Sequence, residues 1–217
     1  MLLFACSTAV EEPQVEMYST AWDMTPAQQL TRASLDLRGI RPSIEELAAM
    51  EADPESFQFL VEDFLHHPNF GEQVRNLFAE IYLTRMEDWP RSASEVGLPD
   101  FVPEYEASVG EEPLRILSRI AEEDLPYHEV VTGDWTMANE YLGAIWPVDY
   151  PEGETGWKPV RYTDSRPSAG VLSSNAMWWR YTSTTANANR GRANAVTRIL
   201  LCDDYLARTI EFSRDVN

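Results

Sequence analysis

Two helix-start signatures, Thr25-Pro26-Ala27-Gln28 and Ser43-Ile44-Glu45-Glu46, constrain this chain more than any other feature. In each, an N-cap hydroxyl precedes a Gln or Glu by three residues. Two orphan backbone N–H groups are then satisfied reciprocally. The proline at the first helical position is already set for the helix. The first helix is predicted over about 26–37, stopping at Gly39, and the second runs to about residue 51. Asp53-Pro54 opens a third helix, with Phe57, Leu60, Val61, Phe64 and Leu65 on one face, and His66-His67-Pro68 ends it. A fourth, over about 70–85, repeats the pattern with Val74, Leu77, Phe78, Ile81 and Tyr82. Short turns between such helices predict a small helical bundle over 24–86.

Residues 87–99 carry Pro90, Gly97 and Pro99 and read as a linker. A helix is expected after Glu111-Glu112-Pro113, its acidic first turn suited to the positive end of the helix dipole, and Pro126 breaks it. A short helix is expected over 137–145. The segment 146–165, with three prolines and two glycines, reads as an irregular excursion with room for a short hairpin. Two arginine–glycine signatures follow: Arg166 with Gly170-Val171-Leu172, and Arg190-Gly191-Arg192. They bracket a polar, aromatic stretch containing Trp178-Trp179. A long helix is expected over about 192–201 and a shorter one within 203–213. The expected fold class is mainly α: an N-terminal small helical bundle and a C-terminal helical subdomain over 100–217 with a long irregular loop excursion.

The formal net charge of −19 excludes nucleic-acid binding through phosphates, which needs a basic surface. The charge is divided unevenly. Residues 1–156 hold 31 acidic and 8 basic side chains, and residues 157–217 hold 5 acidic and 9 basic. The second part is therefore expected to meet either an acidic partner or the acidic first part of the same chain. Sixteen of the 17 basic residues are arginine.

Residues 1–23 read as a lipobox-like N-terminus and linker. Leu3-Phe4-Ala5-Cys6 resembles a bacterial lipobox, whose cysteine is lipidated, and a polar, acidic tether follows. A basic n-region is lacking, and the apolar stretch is shorter than the roughly 7–15 residues of a signal core. The expectation is membrane attachment through Cys6 alone, since no stretch approaches the ~20 apolar residues of a spanning helix. The expected location is the periplasm, outer membrane or cell surface of a Gram-negative bacterium.

The run Leu30-Thr-Arg-Ala-Ser-Leu-Asp-Leu-Arg-Gly-Ile-Arg-Pro-Ser-Ile-Glu-Glu-Leu47 resembles the opening of the planctomycete-type cytochrome-associated domains, which are domains of unknown function. The resemblance continues through Asp53-Pro54, Leu60 to Leu65 and Pro68 to Glu72. It resumes at Tyr127-His-Glu-Val-Val-Thr-Gly-Asp-Trp-Thr-Met-Ala-Asn-Glu-Tyr-Leu142 and the arginine–glycine signatures, covering about two thirds of the chain. Such domains often share chains with c-type haem domains. The resemblance therefore implies extracytoplasmic work and a protein partner such as a c-type cytochrome or membrane complex. No Cys-X-X-Cys-His occurs, so no haem is held covalently in the c-type way. The family's activity is undefined, and no catalytic residue carries over.

Each candidate site admits two readings. Arg166 with Gly170, and Arg190 with Gly191 and Arg192, are either internal ties with a glycine at a close approach, or guanidinium groups aimed at a partner's carboxylate or haem propionate. Trp157, Trp178 and Trp179 are either core anchors or stacking surfaces for a sugar ring or porphyrin edge. No metal site is expected. His66 and His67 point apart on a helix, Asp149, Glu152 and Glu154 lack EF-hand spacing, and two cysteines make no zinc site. No Gly-X-Ser-X-Gly elbow is present. The expected function is a non-enzymatic, lipid-anchored scaffold or binding subunit beside a haem-bearing or cell-surface complex. The alternatives are a carbohydrate-active enzyme or carbohydrate-binding protein using the Trp-rich second half, and a truncated redox protein whose haem domain lies beyond Asn217. Two carboxylates facing each other in a tryptophan-lined cleft are the mark of the carbohydrate-active alternative.

Overall fold

The computed structural model describes residues 24–186 and 189–208. Cys6 with the lipobox-like segment, and Asn187 before the last long helix, lie outside the described residues. The fold is mainly helical, as the sequence predicts.

Four helices open the described chain: α1 (Pro26–Arg38), α2 (Ile44–Ala52), α3 (Phe57–Leu65) and α4 (Phe70–Tyr82). Both capping boxes form. Thr25 and Gln28 exchange side-chain and backbone bonds, as do Ser43 and Glu46. Gly39 closes α1 in the left-handed conformation, at φ 69°. Leu30, Met50 and Phe64 form a buried core for α1 to α3. Arg38 lies beside this core, its guanidinium 3.6 Å from the Phe64 ring centre and bonded to both Glu46 oxygens at 2.9 and 3.0 Å.

Helix α5 (Val102–Glu122) differs from expectation. It starts well before Glu111-Glu112-Pro113, and Pro113 sits inside it. Burial of Tyr105, Ser108, Val109 and Gly110 on the earlier turns outweighs the proline's missing N–H. Glu111 and Glu112 thus occupy the middle of a helix, not its positive end. The segment 87–99, expected as a linker, packs on α5. Trp89 and Ala93 are buried, the Trp89 indole donates to Glu106 O at 3.1 Å, and the Tyr105 hydroxyl donates to Arg91 O at 2.8 Å. Thr84 is also buried and donates to Gly110 O at 2.8 Å. Helix α4 shares a core with α5: Ala79 and Tyr82 pack with Leu114, Leu117 and Ile120.

Beyond α5 come α6 (Glu129–Thr132), strand β1 (Thr136–Ala138) and α7 (Glu140–Ile145), capped by Asn139. The helix expected over 137–145 therefore gives its first residues to a strand. β1 pairs antiparallel with β2 (Lys158–Val160), Met137 opposite Pro159. Val148 bridges Tyr162, so the excursion closes as an irregular hairpin. A 3₁₀ turn (Gly170–Ser173), α8 (Asn175–Arg180) and α9 (Arg190–Leu200) follow. Within 203–208 only a 3₁₀ turn (Tyr205–Ala207) is seen, and the remainder of 203–213 is outside the described residues.

Candidate functional site

The first arginine–glycine signature folds over the middle of α5. Arg166 grips Asp164 at 2.7 to 3.1 Å and donates to Ser173 O at 2.9 Å. Its guanidinium also lies 3.7 Å from the centre of the Tyr162 ring. Gly170 has φ 50°, and its N–H donates to Gly133 O at 3.1 Å. A side chain there would meet Val130 O at 2.1 Å, so only glycine lets the two backbones approach this closely.

Beneath this segment sits a residue the sequence reading missed as a site. Glu112 is wholly buried, and its Oε1 accepts from Thr136 Oγ1 at 2.8 Å and from the Tyr162 hydroxyl. Its Oε2 has no hydrogen-bond partner, nor does the buried Asn175 Nδ2. Burial pushes the Glu112 carboxyl above the usual carboxylate range, opposed by the two hydroxyls and Arg166. The Tyr162 phenol is pushed up by its own burial and then by Glu112. A signal existed in the sequence: Tyr105, Val109, Glu112 and Ile116 share one face of a helix that starts at residue 102.

The second signature opens α9. Arg192 donates to Tyr181 O at 2.8 Å and Trp178 O at 3.2 Å, and lies 5.4 Å from the Trp178 ring centre. Arg190 is exposed and donates to Ala186 O at 2.9 Å. Gly191 occupies the second position of the helix. The aromatic candidates divide across α8. Trp178 donates to Leu172 O at 2.7 Å and packs against the α4–α5 core. Trp179 turns the other way, 5.2 Å from Trp146 and 6.2 Å from Trp89 between ring centres. Trp157 packs against both large cores under the Arg115 guanidinium.

Two of the concave features on the described surface lie beside these candidate residues. A cleft of about 380 Å³ is lined by Arg119, Glu129, Trp135, Asp149, Val160 and Arg161, among others. Glu129 accepts from the Trp135 indole at 2.8 Å, and Asp149 accepts from the Arg161 backbone N–H at 2.5 Å. Each carboxylate keeps further lone pairs for a ligand. The second feature is a shallow groove of about 560 Å³ along α9, lined by Trp178, Asn189, Arg192, Ala193, Val196 and Thr197. Leu201 and Leu206 stand exposed just beyond α9. Among the described residues no group of His, Cys, Asp and Glu is arranged to hold a metal ion. His66 lies 3.6 Å from Glu62, and His67 Nδ1 accepts from Asn69 N–H. No helix among the described residues is long and apolar enough to cross a membrane.

No family model, curated protein or solved structure matches this chain.

Proposed function

We propose that this chain is an extracytoplasmic, lipid-anchored binding subunit without catalysis of its own, docking on a haem-bearing complex through α9. The α9 groove carries this reading. It joins apolar walls (Trp178, Ala193, Val196) to the Arg192 guanidinium, within the part of the chain, residues 157–217, whose charge is net positive. An acidic surface with an apolar centre is the complementary partner. The resemblance to cytochrome-associated domains supplies the haem-bearing class. The anchor at Cys6 and the location outside the cytosol belong to the same proposal.

The test is site-specific photo-crosslinking in native membranes. A photoreactive residue at Val196 is expected to trap a haem-staining band, and one at Phe59, exposed on α3, is not. Equal yields at both positions, or a trapped partner that lacks haem, would reject the docking.

A second reading rests on the cleft. Glu129 and Asp149 lining one concavity with Trp135 is the arrangement a saccharide site uses: carboxylate acceptors for hydroxyls beside an apolar ring. Quenching of tryptophan fluorescence by oligosaccharides, abolished in Trp135→Ala, would favour it over the scaffold.

A further inference from the structure

We propose that Glu112 is a proton-binding site, which holds a proton while the segment 162–175 is docked on α5 and releases it to solvent when that segment lifts away. The hydrogen-bond pattern carries the assignment. Both hydroxyls, from Thr136 and Tyr162, donate to the same oxygen, Oε1, and fill its two lone pairs. The other oxygen, Oε2, forms no hydrogen bond among the described residues, and the Asn175 backbone N–H that faces the carboxyl does not reach it in bonding geometry. That is the division a neutral acid requires, with one carbonyl-like oxygen that accepts and one hydroxyl oxygen that carries the proton. An ionised carboxylate would bury one bare, charged oxygen, a far larger penalty than an unpaired O–H.

Among the described residues no cation forms a hydrogen bond or ion pair with the Glu112 carboxyl in place of the proton. From the 162–166 segment come the Tyr162 hydroxyl and Arg166. That guanidinium is held by Asp164 through Nε and Nη2 and by Ser173 O through Nη1. From β1 comes only the Thr136 hydroxyl, and Asp134 just before it is taken by Arg161. From α8 comes the Asn175 backbone N–H, directed at the carboxyl. On α5 itself Glu111 pairs with Arg75, Arg85 and Arg115. Burial dominates, and the Glu112 carboxyl is raised accordingly.

The sign follows from linkage. A carboxyl raised in the docked state favours docking fully below its ordinary value of about 4.3, and that advantage is lost as pH rises toward the docked-state value. Across that interval the opening equilibrium of the segment rises about tenfold per pH unit, then levels. Asp164 works in the opposite sense. Arg166 holds its carboxyl below the usual range, so its contribution to the same segment is lost only as pH falls through that depressed value.

The experiment uses the full chain. Hydrogen-exchange protection factors are measured for amides 170–174, including the Gly170 N–H bonded to Gly133 O, between pH 4.5 and 8. The wild type is expected to lose protection by about tenfold per pH unit over part of that range. Glu112→Gln keeps the shape and cannot ionise, so its protection factors stay level. Infrared spectra of the wild type as the pH is raised past the ordinary carboxylate range, with glutamate carboxyls isotopically labelled, provide a second readout that needs no variant. They are expected to show the carbonyl stretch of one protonated acid. Identical pH profiles for wild type and Glu112→Gln, or no protonated-acid band, would overturn the proposal.

Discussion

Substituting Gly170 by alanine incurs two penalties at once, one conformational and one steric. Gly170 adopts φ 50°, and a Cβ there would lie 2.1 Å from Val130 O and 2.7 Å from Glu129 O, both backbone atoms. The left-handed conformation alone costs an L-residue roughly 1–2 kcal/mol. Relieving the overlap requires about 1 Å of backbone displacement in a packed layer, worth another ~1–3 kcal/mol. The expected loss is about 3 kcal/mol, or roughly 6–12 °C in melting temperature for a chain of this size. Two control variants isolate the parts. Gly153→Ala has φ 75° with nothing within 4 Å of the new Cβ, so only the conformational penalty applies. Gly110→Ala has no positive φ, but its Cβ would meet Thr84 O at 2.4 Å, so the overlap applies without the conformational penalty, offset by the ~0.5–1 kcal/mol that alanine gains inside a helix. Urea unfolding followed by tryptophan fluorescence measures all three. Gly170→Ala should exceed either control by at least about 1 kcal/mol. A Gly170→Ala protein that unfolds at the wild-type midpoint would refute the claim that this signature is a backbone contact.

Arg192→Lys should lose about 1–2 kcal/mol, because Arg192 reaches Tyr181 O and Trp178 O from two nitrogens, and a lysine, with its donors on one atom and no planar face, loses that span and the cover over the Trp178 ring. Chemical denaturation checks this, and Arg192→Gln should be no better. Glu46→Gln should lower stability by about 1 kcal/mol at pH 7, where wild-type Glu46 is ionised against Arg38. Arg38 holds the Glu46 carboxyl below its usual range, so its contribution is present above the unfolded value and lost as pH falls through the depressed one. Thermal melts of the two proteins should therefore converge in acid.

The N-terminal helices were legible because their signals are local. Thr25 with Gln28, Ser43 with Glu46, and Gly39 after α1 each act within a few residues, and the structure uses every one of them. Helix α5 was misread because Pro113 is a strong local signal that lost to tertiary burial of Tyr105 and Val109. β1 was missed for a related reason. Three residues carry too little pattern, and their partner β2 lies across an excursion of some twenty residues. The candidate site followed the same division. Arg166 and Gly170 stood out by their motif, whereas Glu112, Thr136 and Tyr162 are remote in sequence and meet only once α5 and the hairpin are packed.

The preference for arginine over lysine acquires a structural meaning in the second half of the chain. Helix α4 ends at Tyr82, and the carbonyls of its last turn need donors. Arg198 donates to Ile81 O, the Tyr181 hydroxyl to Tyr82 O, and Arg180 to Leu83 O. Helix α8 ends at Arg180, and Arg192 supplies Trp178 O and Tyr181 O. Guanidinium groups thus occupy the negative ends of two helices, where a cation is favoured and several N–H donors can be shared among carbonyls. A lysine offers one compact charge with three donors on a single atom and no planar fork, so it spans separated acceptors less well. Part of the positive balance of residues 157–217 is therefore an internal fastening, Arg180 and Arg198 onto the end of α4 and Arg192 onto the end of α8. The outer edge of Arg192 lies beside the apolar wall of α9, where the proposed partner would dock. Docking there would add contacts to a surface already held rigid by those ties, which limits the ordering entropy that binding must offset.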